Sequence, residues 1–563
     1  MNTLGRVSDI GSHRLADWLA VAAACTFIFL ASYRVELPGL QYDEIIFFDA
    51  TQGSYALDNV FVYKSLGPVP LLIMQYIGAL KSWLYTPIFR VFAISPATIR
   101  LPTILLAAAT LLIFYKLMRA KLGAVWATIV LWIMAVDPVN VFLTRPDVGM
   151  AVLMHFFQAS ILALWFSYRD KPELWKAILI FVCFALGCFD KFNFVWLALA
   201  FLIATLVCYP DSVKNIWSSL PRFVAWTAVV FVVIGLGTIL HMVWALRALH
   251  FPSVGTTTVL RNWSRLLETL SGTAMANLMF ESSAGIIGLI PGWLILADGF
   301  LALTCLLLPV SNAETREHRK NGIFCLLIGF LIFLQIVITT VFWTQFFDAS
   351  AANPWHYWMI WPLPLLAFAF LTKSLSMQIA GKILGRVDAV LPGCAAVLVF
   401  AVNVHNAAAY LSHFRWNHHY SPVWSPEIYS LSDYINKHGW EAKRIISVDW
   451  GLHNQIHALA PKKLRERMQE RMFFTDLEKQ NQEEQIGNLN HLFPEGKSFV
   501  VMFAESTGAF LPTARGRNVP AALAVCPELK SRLVKEFWFW GEKIYELYEV
   551  TRQPNGAPES THS

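Results

Sequence analysis

From Leu15 to about Tyr33, and again near residues 99–115, 124–142, 148–167, 174–190, 193–209, 222–246, 284–309, 322–345, 356–372 and 388–411, the chain runs through apolar stretches that carry few charges. A helix needs roughly 20 such residues to cross the hydrocarbon of a bilayer, where every backbone N–H and C=O must find its partner inside the segment. About eleven windows of this kind lead to one class, a polytopic α-helical membrane protein. The composition agrees. The chain is 56% hydrophobic and 15% charged, against about 25% charged for soluble domains.

The first window follows Arg6 and Arg14, the arrangement of a signal peptide or an anchor. Its length, and the lack of a small-residue cleavage site after it, favour an uncleaved anchor. Lys and Arg near helix ends stay on the cytoplasmic side. Alternate connections carry Lys116, Arg119 and Lys121; Arg169, Lys171 and Lys176; Lys214 and Arg222; Arg316, Arg319 and Lys320; and Lys373, Lys382 and Arg386. The expected topology therefore has a cytoplasmic N-terminus, with the first loop and everything after about residue 412 on the far side. The net charge of +6 is accounted for by this pattern and gives no reason to expect a nucleic-acid partner. Seven of the eight cysteines fall in or beside apolar runs and no CxxC spacing occurs, so they read as small apolar fillers.

The first outer loop, about residues 36–98, opens with "LPGLQYDEIIFFDA", which sets Asp43 and Glu44 side by side just after the chain leaves the membrane. Further on, "GPVPLLIMQYIGALKSWLYTPIF" is apolar, contains Lys81, starts at Gly-Pro and stops at Thr86-Pro87; it is expected to be a helix lying in the interface. The loop reads as a platform carrying Asp43, Glu44, Asp49 and Lys64. A second outer turn, "DPVNVFLTRPDVGMAVL", holds Asp137, Arg145 and Asp147. Ionisable groups at this depth are costly unless paired or used, which makes the Arg-Pro-Asp a site candidate. Pro146 in a first helical turn followed by Asp147 is also ordinary helix capping, and both readings stand.

These residues, in their order and sidedness, resemble the GT-C glycosyltransferases, in particular the bacterial branch similar to protein O-mannosyltransferases and the aminoarabinose transferase of lipid A. The resemblance covers about residues 10–410. It is carried by Asp43-Glu44, by Lys64 ahead of "GPVPLL", by "IRLPTILLAAATLLIFYKL", "TRPDVGMAVL", "GCFDKFNFVW" with Lys191, and "NPWHYWMIWPLPLLAF" with His356. At Lys64 the chain reads "KSLGP" where the family more usually has Lys-Pro. The resemblance implies inverting transfer of a hexosyl or pentosyl unit from a polyprenyl-phosphate donor to an acceptor on the outer face. That acceptor is a lipid, a polysaccharide or a protein. An attacking hydroxyl must lose its proton, and a carboxylate within hydrogen-bond reach can take it. Asp43 is the candidate base, and Glu44 would position substrate or tune its neighbour. The departing lipid phosphate calls for fixed positive charge, with Lys64, Arg145, Lys191 and His356 as candidates. Some relatives use a divalent metal, which Asp43 and Asp147 would share. Each residue has a bland reading: a solvated turn for Asp43 and Glu44, a snorkelling side chain for Lys191, an interfacial anchor for His356.

Residues 247–283 contain Arg247, Arg261 and Arg265 and read as an outer flap with a short interfacial helix; Asn262-Trp263-Ser264 fits a glycosylation sequon. After about residue 412 the apolar runs shorten, so the expected domains are a catalytic membrane part at 1–411, a soluble α/β domain at 412–551 and a disordered tail at 552–563. "SPEIYSLSDYINKHG" reads as a helix capped at both ends, "RIISVDW" and "KSFVVMF" as buried strands, and "LVKEFWFWGEKIYELYEV" as two strands around Gly541. His453 and His457 share a helix face without an evident third metal ligand, so capping or surface positions suit them better. No nucleotide-binding glycine loop occurs, which speaks against an ATP-driven pump. A transporter or flippase of lipid-linked saccharides is the alternative, although it predicts internal repeats that the sequence does not display. A single outer tail domain, without an inserted β-trefoil-like domain, points through the resemblance to a bacterial inner membrane with the tail in the periplasm.

Overall fold

A computed structural model describes residues 3–52, 62, 64–74, 76–219, 256–280, 286–309, 312–342, 352–379, 387–416, 419–449, 451–471, 481–504, 520 and 523–552. The chain divides into two compact units. The first comprises residues 1–33, 103–277 and 282–411; the second comprises 34–102, 278–281 and 412–563. The seam near residue 411 lies where the composition changes. Residues 34–102, by contrast, belong with the tail.

In the first unit the apolar windows become helices: α1 (Thr3–Ser32), α4 (Pro96–Leu122, whose first turns belong to the second unit), α5 (Ala124–Ala135), α6 (Pro138–Thr144), α7 (Ala151–Asp170), α8 (Leu174–Asp190) and α9 (Val195–Cys208). Helices Ile290–Leu307, Ala313–Phe342, Pro362–Ile379 and Val387–Trp416 follow. Among the described residues seven helices are long and apolar enough to span a bilayer, and a bent pair, α5 with α6, makes an eighth. The protein is therefore a multi-pass membrane protein. The shorter α8 and α9 fill two more expected windows, and 222–246 lies outside the described residues.

Burial separates the roles of these spans. Of the Pro354–Gln378 window 83% is buried within the protein, whereas only 22% of Ile290–Leu307 is, so the former is central and the latter faces lipid. The 52° bend between α5 and α6 has a local cause. Pro138 cannot continue the α5 hydrogen-bond ladder, and Asp137 starts α6 afresh by accepting from the Val139 N–H at 2.9 Å. The Asp137 carboxylate also takes the Trp361 indole N–H at 2.8 Å.

In the second unit the stretch expected to be one interfacial helix is two kinds of structure. Residues 64–78 form a three-stranded antiparallel sheet, β1 (Lys64–Leu66), β2 (Val69–Met74) and β3 (Ile77–Gly78). Its tight Gly67-Pro68 link and its Val/Ile/Leu content favour a hairpin over a helix. The helix is α3 (Leu80–Val91), which runs through Pro87 instead of stopping there and closes with the Phe92 N–H on Ile88 O at 2.8 Å. Lys81, buried in α3, lies over the Phe47 ring at 4.4 Å from its centroid, so an aromatic face supports a charge that water does not reach.

The tail folds as expected into an α/β domain around a five-stranded sheet ordered β5-β4-β6-β8-β7. Its strands are β4 (Ile445–Ser447), β5 (Met468–Glu470), β6 (Gly496–Phe503), β7 (Leu529–Phe539) and β8 (Glu542–Arg552). Strands β5, β4 and β6 run parallel, and β8 and β7 add antiparallel. Period-two alternation makes β6 central: Phe499, Val501 and Phe503 enter one core with Ile428, Leu431 and Ile435, while Val500 and Met502 enter another with Leu489 and Leu492. Trp540 and Gly541, both at positive φ, make the β7–β8 turn. The helix of "SPEIYSLSDYINKHG" spans Glu427–His438, but its ends differ from expectation. Ser425 Oγ accepts from the Glu427 N–H at 3.3 Å, and Gly439 stays right-handed at φ −64°, leading into a 3-10 turn in place of a left-handed cap. The expected disordered tail lies outside the described residues beyond Arg552.

Candidate functional site

The acids of the loop after α1 sit in a short helix, α2 (Tyr42–Ile45), started by a capping box. Gln41 Oε1 accepts the Asp43 N–H at 2.6 Å, and the Gln41 N–H reaches Glu44 Oε2 at 3.2 Å. One turn of helix points the two neighbouring acids in different directions. Glu44 is 1% exposed and is gripped by Arg100, Nε to Oε1 at 2.5 Å and Nη2 to Oε2 at 2.8 Å. Arg100 also donates to the carbonyls of Val35 at 2.7 Å and Pro38 at 2.9 Å, which ties the loop entrance to the start of α4. Glu44 is thus occupied in holding the loop. Asp43 keeps solvent access. The Tyr76 phenol, raised first by burial and then by the Asp43 charge, marks a neighbour of that carboxylate on the β2–β3 turn.

The rest of this cluster comes from the tail domain. Asp49, buried, lies 3.0 Å from His457 Nδ1. The Arg465 guanidinium sits over the Phe48 ring at 4.7 Å and donates to Gln52 Oε1 at 3.0 Å. The Tyr42 hydroxyl donates to Glu470 Oε2 at 3.4 Å. Burial pushes the Glu470 carboxyl up to about 7, partly offset by the Tyr42 hydrogen bond. His453 and His457 lie on a buried helix, His453–Leu459, with their rings stacked at 5.1 Å. They are core residues, neither caps nor surface groups, and burial holds His453 down at about 3.

A second cluster forms within the first unit. Arg145, Asp147, Lys191 and His356 are all buried or nearly so. Asp147 adopts φ +42°, Gly149 +71° and Met150 +55°, a left-handed turn that delays α7 until Ala151. Pro146 therefore stands before this turn and outside the first helical turn expected for it. The Asp147 carboxylate accepts the Val152 N–H at 2.9 Å, the capping half of its two readings. Lys191, between α8 and the 3-10 turn Phe192–Phe194, donates from Nζ to Gly149 O at 2.5 Å. A Cβ at Gly149 would stand 2.8 Å from Trp355 Cδ1 and 2.9 Å from Lys191 Nζ, so the backbone, the ammonium and the indole converge. His356 follows, its Nδ1 3.2 Å from Asn193 Nδ2 and its ring edge-on to Trp196 at 5.8 Å.

The structure thus gathers Asp147, Lys191 and His356 in one place, and Asp43 and Glu44 in another. Lys64 is exposed on β1. Asp43 belongs to the second unit and Asp147 to the first, and among the described residues no three His, Cys, Asp or Glu side chains gather as metal ligands. The flap helix Thr256–Leu270 is well packed. Asn262, fully buried, accepts from the Tyr357 hydroxyl and from Thr340 Oγ1 at 3.3 Å. Arg247 lies outside the described residues. Sequence reasoning missed Arg100, Tyr42, Glu470, Asn193 and Trp355. Arg100 carried a signal, since a lone arginine at the mouth of an apolar window needs a carboxylate.

No known family profile matches this chain, and no characterised protein matches it by sequence. Among solved structures, the chain is similar to ArnT from Cupriavidus metallidurans bound to undecaprenyl phosphate, with a TM-score of 0.52, 13% identity, and coverage of 94% of this chain and 97% of that one. A looser likeness, with a TM-score of 0.47 and 10% identity, is to the Archaeoglobus fulgidus oligosaccharyltransferase tethered to an acceptor peptide; it covers 81% of this chain and 63% of that one. The ordered motifs, the membrane helices with their tail domain and the end-to-end ArnT match agree on the architecture, and the chain has the GT-C fold.

Proposed function

We propose that this protein is an inverting glycosyltransferase that moves a hexosyl or pentosyl unit from a polyprenyl-phosphate donor to an acceptor on the outer face of a bacterial inner membrane. The tail domain would then be periplasmic. The observation that carries the reading is the division of labour within α2: Arg100 occupies the buried Glu44, while its neighbour Asp43 is only half-buried in a capped turn. Asp43 takes the proton of the acceptor hydroxyl as that oxygen attacks the anomeric carbon. The bond from that carbon to the phosphate oxygen breaks, and the lipid phosphate departs.

Negative charge develops on that phosphate, which suits a cationic pocket. Lys191, anchored on Gly149 O beside Trp355, has the reach and the fixed orientation for it, with Arg145 and His356 from the same unit. Asp147 shapes the turn that presents this pocket. Lys64, exposed on β1, is a candidate for early capture of the donor headgroup.

The test is transfer of radiolabelled sugar from polyprenyl-phosphate donors in proteoliposomes, wild type against Asp43→Asn. Loss of about 100-fold or more in the folded variant supports the base; full activity removes it. No transfer by the wild type with any donor shifts the reading to a transporter of lipid-linked saccharides.

A further inference from the structure

The segment carrying Asp43 is held from one side by Arg100 and from another by residues more than 400 positions downstream. Asp49 meets His457 at 3.0 Å, Tyr42 meets Glu470 at 3.4 Å, and Gln52 meets Arg465 at 3.0 Å, while Arg465 also covers Phe48. Arg465 is itself fixed by the carbonyls of Ala460 at 2.8 Å and Ala458 at 3.2 Å. These three contacts bracket residues 42–52 from one end to the other. A buried carboxylate such as Asp49 needs a compensating charge, and the Arg465 guanidinium supplies it.

We infer that the tail domain is a working part of the site, with His457 and Glu470 acting as positioning residues that set the Asp43 carboxylate through Asp49 and Tyr42. Neither touches the reacting atoms. They fix the two ends of the turn whose misplacement by about 1 Å would cost about 100-fold in rate. The inference rests on the glycosyltransferase reading for its catalytic consequence, though not for the clasp itself. The groups facing the clasp are Asp43, Tyr42 and Asp49 from the loop and His453, His457, Arg465 and Glu470 from the tail domain.

The experiment uses the full chain in nanodiscs and reads two quantities, amide hydrogen exchange across residues 42–52 and steady-state transfer. His457→Ala should raise exchange in that segment about tenfold or more and lower kcat by about 100-fold with KM little changed. His457→Asn, whose side chain keeps a polar group facing Asp49, should recover most of both. Tyr42→Phe, which removes one hydroxyl and keeps the ring, guards against a folding artefact and should lower kcat while the melting temperature holds. Unchanged exchange in His457→Ala overturns the clasp. Raised exchange with unchanged kcat in both variants reduces these residues to structural ties and overturns the positioning role. Absence of transfer in the wild type with any donor removes the glycosyltransferase reading and with it the catalytic role, while the exchange result still decides the clasp.

Discussion

Arg100 and Glu44 form a two-point ion pair in which both side chains are withdrawn from water, at 0% and 1% exposure, with contacts of 2.5 and 2.8 Å. The pair joins the first turns of α4 to the acid loop. Removing either partner leaves a buried charge without compensation, which costs about 3–5 kcal/mol. Arg100→Met and Glu44→Gln should each lower the melting temperature sharply in detergent. Arg100→Lys should not rescue, because one ammonium cannot replace a fork that binds a carboxylate and two carbonyls. A lysine variant as stable as the wild type would show that the fork is dispensable.

Gly149 sits at φ +71° with Trp355 and Lys191 against its α-carbon. An alanine there meets a backbone penalty of about 1–2 kcal/mol and must also displace the indole. Gly149→Ala should therefore melt earlier than the wild type and, under the proposed function, bind a polyprenyl phosphate more weakly by isothermal titration. Unchanged affinity would separate this turn from the donor pocket.

Two buried carboxyls should make the stability of the tail domain fall as pH rises from the usual carboxylate range to about 7. Burial raises Glu470 from 4.5 to about 7 and Asp449 from 3.8 to about 6, so in each case the folded state holds a proton that the unfolded chain has released. Their contribution is complete below the unfolded values and is lost as pH rises through about 6 and then about 7. His453, held down at about 3 by burial, works at the other end: stability falls as pH drops below its unfolded value of 6.5. Melting curves between about pH 4 and 8 should show that Glu470→Gln removes part of the fall with rising pH. A profile identical to that of the wild type would mean that Glu470 ionises normally.

Asn262 fits a sequon, yet its side chain is buried among Tyr357, Thr340 and the Ala352 N–H. Expressed in a eukaryotic secretory pathway, the chain should show no endoglycosidase-sensitive shift attributable to this site. Asn262→Ala should cost about 1–3 kcal/mol by taking their Asn262 acceptor from the buried Tyr357 hydroxyl and the Ala352 N–H. A glycosylated, stable protein would contradict the packing.

Several features were legible before any coordinates. Long apolar windows became helices because hydrocarbon leaves the backbone no other partners, and the short continuous apolar run in "KSFVVMF" became β6 because a strand buried on both faces is apolar on both. Local reasoning failed at 67–78. There an apolar stretch satisfied helix and strand equally, and pairing with Lys64–Leu66 decided for the sheet. It failed again at His453 and His457, where spacing specifies a helix face but not what that face meets.

Composition and hydrophobic period, properties that each segment expresses against its own solvent, determined by themselves that this is a multi-pass membrane protein with an α/β tail and acids in the loops beside its helices. Which acid is fully buried against a guanidinium and which is only half-buried was decided by tertiary structure alone. Asp43 and Glu44 are chemically near-equivalent neighbours, and what separates them is a guanidinium 56 positions away. The further tie from Asp49 to His457 depends equally on distant residues being brought together, and no local preference encodes such a meeting.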